Sequence, residues 1–252
     1  HRDLHSFPTR RSSDLLEGAS NNLLLGNTLS GNSGEGVEIS LLSHNSRVEG
    51  NSISGNSGGI LITDSNGSQV INNTVQSNSS GITLEIAHNS LIRVNDVRFN
   101  SGGIELQDAN DNRLEMNNVS GNSGAGIAID GISLRNIVAQ NIASNNNGEG
   151  IAVGSPAPIA SGTLVDRNVT NSNSSGGIFV AGGHTVVGNT DNLNDGWGIY
   201  AESGAVDGGG NMATGNAEPA QCFGVVCLIG VPPGAPDTTI LQAPSDPSNS
   251  RT

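Results

Sequence analysis

The sequence predicts an all-β fold, a parallel β-helix (solenoid) of about nine coils of 21–27 residues. Three observations predict it. A Gly followed by Ile or Val recurs at Gly36, Gly59, Gly81, Gly103, Gly126, Gly150, Gly177, Gly198 and Gly224, with spacings of 23, 22, 22, 23, 24, 27, 21 and 26. After these glycines the apolar residues alternate ("GILI", "GITL", "GIEL", "GIAI", "GIAV", "GIFV"), the period-two pattern of a strand with one face inward. A polar turn follows, then the signature apolar-x-x-Asn-x-apolar-x-x-Asn, as in "VEGNSISGN" (48–56), "VINNTVQSN" (70–78), "IRVNDVRFN" (92–100) and "LEMNNVSGN" (114–122).

A period of about three short strands cannot bury an apolar face alone, so each coil must stack on its neighbours. Stacking places Ile60, Ile82, Ile104, Ile127, Ile151, Ile178 and Ile199 in one inward column. It places Asn27, Asn51, Asn73, Asn95, Asn117, Asn141, Asn168, Asn189 and Asn211 in another, at one turn position. Asn tolerates the left-handed backbone of such turns, and stacked amides bond each other along the axis. At about 4.8 Å per coil, nine coils make a rod of roughly 40 Å.

In chain order, "HRDLHSFPTRRSSDL" (1–15) comes first and does not fit the repeat. It lacks the apolar run of a secretory signal, and Asp3 and Asp14 interrupt any transit-peptide pattern. One choice of codons for it matches the adapter used in short-read DNA sequencing, so residues 1–15 are read as a translated adapter ahead of a gene fragment. The β-helix is expected over 16–229. Residues 16–252 carry a net charge of −14, with seven Arg against 21 acidic residues and no Lys. Such a balance argues against nucleic acid and anionic membrane surfaces as partners, and no apolar run is long enough to span a bilayer.

"GSPAPIASG" (154–162) lengthens one period to 27 residues and reads as a projecting loop. "GVPPGAP" (230–236) has linker composition. Residues 237–252 ("DTTILQAPSDPSNSRT") open with a stretch that resembles the first strand of a bacterial immunoglobulin-like domain, cut short. Cys222 and Cys227 lie in the last coil, "QCFGVVC". An extended strand would hold their Cα atoms roughly 16 Å apart, so a disulfide requires the segment to turn. The other reading is a buried thiol, with Cys227 inward after the Gly224–Val225 anchor; the disulfide is favoured by a narrow margin.

With coils near 22 residues, the repeats resemble the right-handed parallel β-helix repeat family; left-handed β-helices have shorter, hexapeptide-based coils. The family includes pectate lyases, polygalacturonases, alginate lyases and epimerases, phage tailspikes, and a periplasmic accessory group tied to copper-enzyme maturation. The resemblance implies the fold and an exported protein, extracellular or periplasmic, whose signal peptide is not included. It leaves function open.

The chemistry of those relatives is not legible here. Lyases of this kind use Lys or Arg with acidic Ca²⁺ clusters, whereas the β-helix stretch has only the separated Arg47, Arg93, Arg98, Arg113, Arg135 and Arg167. "NTD" at 189–191 matches one of four polygalacturonase motifs, but Asn189 already belongs to the Asn column, so the match is read as chance. His44 and His88 share a turn position two coils (about 9.6 Å) apart, too far for one metal. The positions between and beyond them are read as Ser65 and Asp111. No catalytic residue, metal site or cofactor is assigned, weak Ca²⁺ binding by acidic groups aside.

Aromatics concentrate late in the chain. Phe179 and Tyr200 follow their anchor Ile, a position that alternation points outward, while Trp197 and Phe223 directly precede a Gly. Such rings suit sugar stacking, or packing by the 154–162 loop or a following domain; packing is weighed first. The favoured reading is a non-catalytic, monomeric stretch of an exported bacterial β-helix, a stalk or glycan-interaction surface with Phe179, Trp197 and Tyr200 as binding residues. The alternative is a polysaccharide lyase or glycoside hydrolase whose catalytic residues lie outside the fragment.

Overall fold

The computed structural model describes residues 14–154 and 162–229. Residues 1–13, most of the 154–162 loop, the 230–236 segment and the tail 237–252 lie outside the described residues. What is described is all β, wound into about nine coils of parallel strands. Most coils give one strand to each of three faces. The first face is a ten-stranded sheet from Asp14–Glu17 to Cys222–Phe223, and the second a nine-stranded sheet from Leu23–Leu25 to Val206–Gly209. The third has five strands, Thr28–Ser30 to Asn118–Ser120, and four more, Val169–Asn171 to Cys227–Ile229. Ile142 links these two groups by single bridges to Asn118 and Val169.

The inward isoleucines pair in register on the first face, each at most 1% exposed, with Val37 before them and Cys222 after. The anchor glycines precede this column for a steric reason. A Cβ on Gly81 would lie 2.2 Å from the Gly103 carbonyl oxygen and 2.6 Å from Val97. No side chain fits where the first face of one coil closes against the third.

Two Asn ladders run the length of the rod. In the expected column, Asn95 is typical: its Oδ1 accepts from the backbone N and the Nδ2 of Asn73. Its own Nδ2 donates to Asn117 Oδ1 and the Val70 carbonyl oxygen. Each buried amide is thus fully satisfied, which offsets the desolvation of a polar side chain in the interior. The second ladder, through Asn56, Asn78, Asn100, Asn122, Asn146, Asn173, Asn194 and Asn216, uses the last Asn of the same sequence signature. The corner between the first and second faces carries shorter runs through Ser68, Ser90, Asn112 and Asn136.

The structure corrects three expectations. The ladder asparagines are not left-handed; the residue before each one is, with φ of 64° at Gly50, 57° at Val94 and 56° at Met116. The left-handed turn exposes the preceding side chain and swings the Asn inward. The fold also starts earlier than residue 16: Asp14 and Leu15 pair with Val37 and Glu38, because buried Leu16 seats their strand against Ile39. Finally, Gly224 is not an anchor. Cys222 and Phe223 pair with Ile199 and Tyr200, so Gln221 occupies the anchor position and accepts from the Gly198 N–H.

Candidate functional site

The outward column of the first face reads Glu38, Leu61, Thr83, Glu105, Ala128, Ala152, Phe179, Tyr200 and Phe223. Because neighbouring strands lie about 4.8 Å apart, equivalent aromatic positions on successive coils must meet as stacked rings. Phe179 and Tyr200 stack at 6.0 Å between centroids and 11° between planes. Tyr200 and Phe223 stack at 4.9 Å and 13°. Trp197, in the turn before Tyr200, meets Tyr200 at 6.0 Å and Phe223 at 5.8 Å, edge-on at 62° to both. All four rings are half-exposed. Each such pair contributes about 0.5–1.5 kcal/mol beyond simple burial, so the strip ties the last coils together.

The structure therefore brings Phe179, Trp197 and Tyr200 together and adds Phe223. Phe223 was legible in principle: "CF" repeats the inward–outward order of "IF" and "IY". Treating Gly224 as the anchor hid that order. At the other end of the strip, Gly154 separates Phe179 from Asp130; a Cβ there would lie 3.6 Å from the ring and 3.7 Å from the carboxylate. Burial pushes the Asp130 carboxyl up from its ordinary range. The outer face thus passes from acidic early coils to an aromatic end. On the acidic side, burial raises the Glu35 carboxyl, and the charges of Glu38 and Glu85 raise it further.

Cys222 and Cys227 are joined by a disulfide with Cα atoms 6.1 Å apart. Cys222 ends the first face and Cys227 lies in the final strand of the third, so the bond crosses the end of the core. The chain turns between them at Gly224, whose φ of 76° suits a residue without Cβ.

His44 and His88 do share a corner, but the residues between and beyond them are Asn66 and Asn110, not Ser65 and Asp111. His44 Nδ1 accepts from the Asn66 N–H, the His88 N–H donates to Asn66 Oδ1, and His88 Nδ1 accepts from the Asn110 N–H. Two-residue corner segments ("HN", "NG", "HN", "ND") align one residue away from the serine reading. The corner borders a groove lined by Leu41, Leu42, Asp64, Asn66, Ile86 and His88. Among the described residues, no three His, Cys, Asp or Glu side chains form a ligand set.

Of the six arginines in the described coils, five pair with an acid: Arg47 with Glu49, Arg98 with Asp96, Arg113 with Glu115, Arg135 with Asp111, and Arg167 with Asp166. Arg135 holds the Asp111 carboxyl below its ordinary range. In "NTD", Asn189 is a ladder member and Asp191 is fully buried in the core. Its carboxyl therefore cannot act on an external chain. No helix among the described residues is long and apolar enough to cross a membrane.

Two family models match the chain. The model described as the periplasmic copper-binding protein (NosD) matches residues 9–123, and that of the right-handed β-helix region matches residues 80–191. No curated protein sequence matches. Among solved structures, a double mutant of the periplasmic alginate epimerase AlgG is 19% identical with a TM-score of 0.66, covering 75% of this chain and 50% of that one. The mannuronan C-5 epimerase AlgE6 A-module of Azotobacter vinelandii is 18% identical, TM-score 0.57, over 84% and 71% of the two chains. An alginate lyase from Paenibacillus sp. str. FPU-7 is 14% identical, TM-score 0.57, over 84% and 92%. The chain has the parallel β-helix fold, resembles the right-handed β-helix region over residues 80–191, and spans about half the length of the epimerase AlgG. The side chains described do not fit copper: the cysteines are bonded to each other, and the Nδ1 atoms of His44 and His88 already accept backbone N–H groups.

Proposed function

We propose that the chain is a non-catalytic rod segment of an exported bacterial β-helix protein, a stalk whose aromatic strip is its glycan- or surface-interaction module. The observation that carries this reading is the continuous half-exposed cluster of Phe179, Trp197, Tyr200 and Phe223 on one outer face. A bridged cysteine pair, together with the periplasmic descriptions of NosD and AlgG, supports a location outside the cytoplasm. The geometry refines how a sugar would be met. Tyr200 has a ring on each face, so it offers its edge and hydroxyl, whereas Trp197 stands at an angle to the stack and is the ring we assign to stacking on a pyranose. The net charge of −14 outside residues 1–15, with no Lys, favours neutral glycans over polyuronates.

Affinity electrophoresis in gels containing a neutral glucan, alginate or pectin tests this. Retention by the neutral glycan is expected, lost in Trp197→Ala and reduced in Phe179→Ala with Tyr200→Ala. Retention unchanged in all variants, or a preference for pectin or alginate, would sink the reading. So would release of unsaturated uronate from alginate by the purified chain, which would favour the lyase alternative.

A further inference from the structure

The inward column of the third face changes character along the rod. It runs Leu29, Ile53, Val75, Val97 and Val119 through the early coils, then Ala143, Thr170, Asp191 and Ala213. Every one of these side chains is at most 5% exposed, and Asp191 is at 0%. An acid occupies a position that four coils give to Val or Ile. Thr170 Oγ1 donates to Asp191 Oδ1, while Asp191 Oδ2 is buried with no partner.

The surroundings hold nothing to neutralise a charge there. On the coils above and below, Thr170 and Ala213 face Asp191. The inward residues of its own coil on the other two faces are Val186 and Ile199, both fully buried. Ionisable groups on the surrounding elements lie elsewhere: Asp166 and Arg167 pair with each other at the surface, and Asp195 and Asp207 are exposed. His184 is buried at a corner, where desolvation lowers its pKa. Cys222 and Cys227 are bonded and do not titrate.

We infer that Asp191 is a proton-dependent latch on the late coils: uncharged, its carboxyl packs in the core as seen, and its ionisation loosens the coils on either side. Desolvation raises this carboxyl well above its ordinary range, and the Thr170 hydrogen bond only partly opposes the shift. The sign follows from linkage. Below the ordinary carboxylate range the folded and unfolded chains both hold the proton, and the latch costs nothing. Above that range the unfolded chain releases it while the folded chain keeps it. The folding equilibrium of these coils then falls about tenfold per pH unit until the folded carboxyl itself ionises.

The third face supplies its own control. Native-state amide exchange on the full chain, corrected for the intrinsic pH dependence of exchange, compares the strands at 169–171, 190–192 and 211–214 with those at 74–76, 96–98 and 118–120. Above the ordinary carboxylate range the late strands should lose protection relative to the early ones by about tenfold per pH unit until the folded carboxyl ionises, while Asp191→Asn shows a flat ratio. Fluorescence of Trp197, the single tryptophan and on the same coil, should report the same loosening in mild urea. If the Asn variant does not fold, Thr170→Val with Asp191→Val, which repeats the Val97–Val119 pair, is expected to be equally flat. A wild-type ratio constant from about pH 4 to pH 8, or a pH dependence retained by the folded variant, would overturn the latch.

Discussion

The early and late coils share one backbone plan but differ in what fills it. From Val37 to Val119 the period is close to 22 residues and the inward strand positions are Ile, Leu and Val throughout, with Ala87 and Ala109 at the corners. Beyond Ile129 the core admits Ala143, Thr170, Asp191, Ala213 and the Cys222–Cys227 bridge. The outside changes in the opposite sense, from Glu38 and Glu105 to Phe179, Tyr200 and Phe223 on equivalent positions. The late coils thus move part of their apolar surface from inside to outside. The lesson is that the ladders, not the core alone, hold the register. The Asn189–Asn211 and Asn194–Asn216 links continue unbroken over the very coils whose core is weakest.

The comparison can be broken most forcefully by moving the late feature into the early region. Ile104→Asp buries an acid in the first-face column with no Thr170 to meet it and should destabilise by about 4 kcal/mol or more in urea denaturation at neutral pH. If this variant were nearly neutral and Glu105→Lys severe, the inward register would be off by one residue. A smaller effect sharpens the role of the ladders. Asn95→Ala leaves the Asn73 backbone N–H without its acceptor and removes one partner each from the Asn73 Nδ2, the Asn117 Oδ1 and the Val70 carbonyl oxygen, at about 2–3 kcal/mol. Asn194→Ala should cost more than Asn95→Ala if ladders compensate for the poorer late core; equal losses would remove that distinction. Smallest of all, Glu105→Lys on the outer face should stay within about 0.5 kcal/mol. Deleting residues 1–13, whose composition departs from the repeat, should leave the unfolding midpoint in urea unchanged.

Much of the fold was legible because a stacked repeat writes the same environment many times. Ile60 through Ile199 and Asn27 through Asn211 each recur at one position, and each recurrence restates the same burial or hydrogen bond. The second Asn ladder was half legible: its residues were in the signature, but nothing in a string separates a ladder amide from a turn amide. Legibility failed where the marker residue changed. After Gly198 the period to Gln221 is an ordinary 23 residues, but the anchor there is Gln rather than Gly, and alignment on Gly224 placed both cysteines and Phe223 in the wrong slots. At the His44 corner a one-residue offset exchanged Asn66 for Ser65.

By itself, the sequence determined the all-β solenoid, its coil length, the inward isoleucine column and the outward placement of Phe179 and Tyr200, since all four follow from period alone. Only the tertiary structure decided which faces of the rings stay free, because stacking depends on the spacing between coils and on the direction of Trp197 from its turn. It also decided that an acid stays inside at Asp191. The residue sits in "NTDN", a polar stretch; the signature in "VVGNTDNLN" (186–194) sets Asp191 at an inward position, and its pairing with Thr170 and Ala213 shows that an acid is indeed held there in the core.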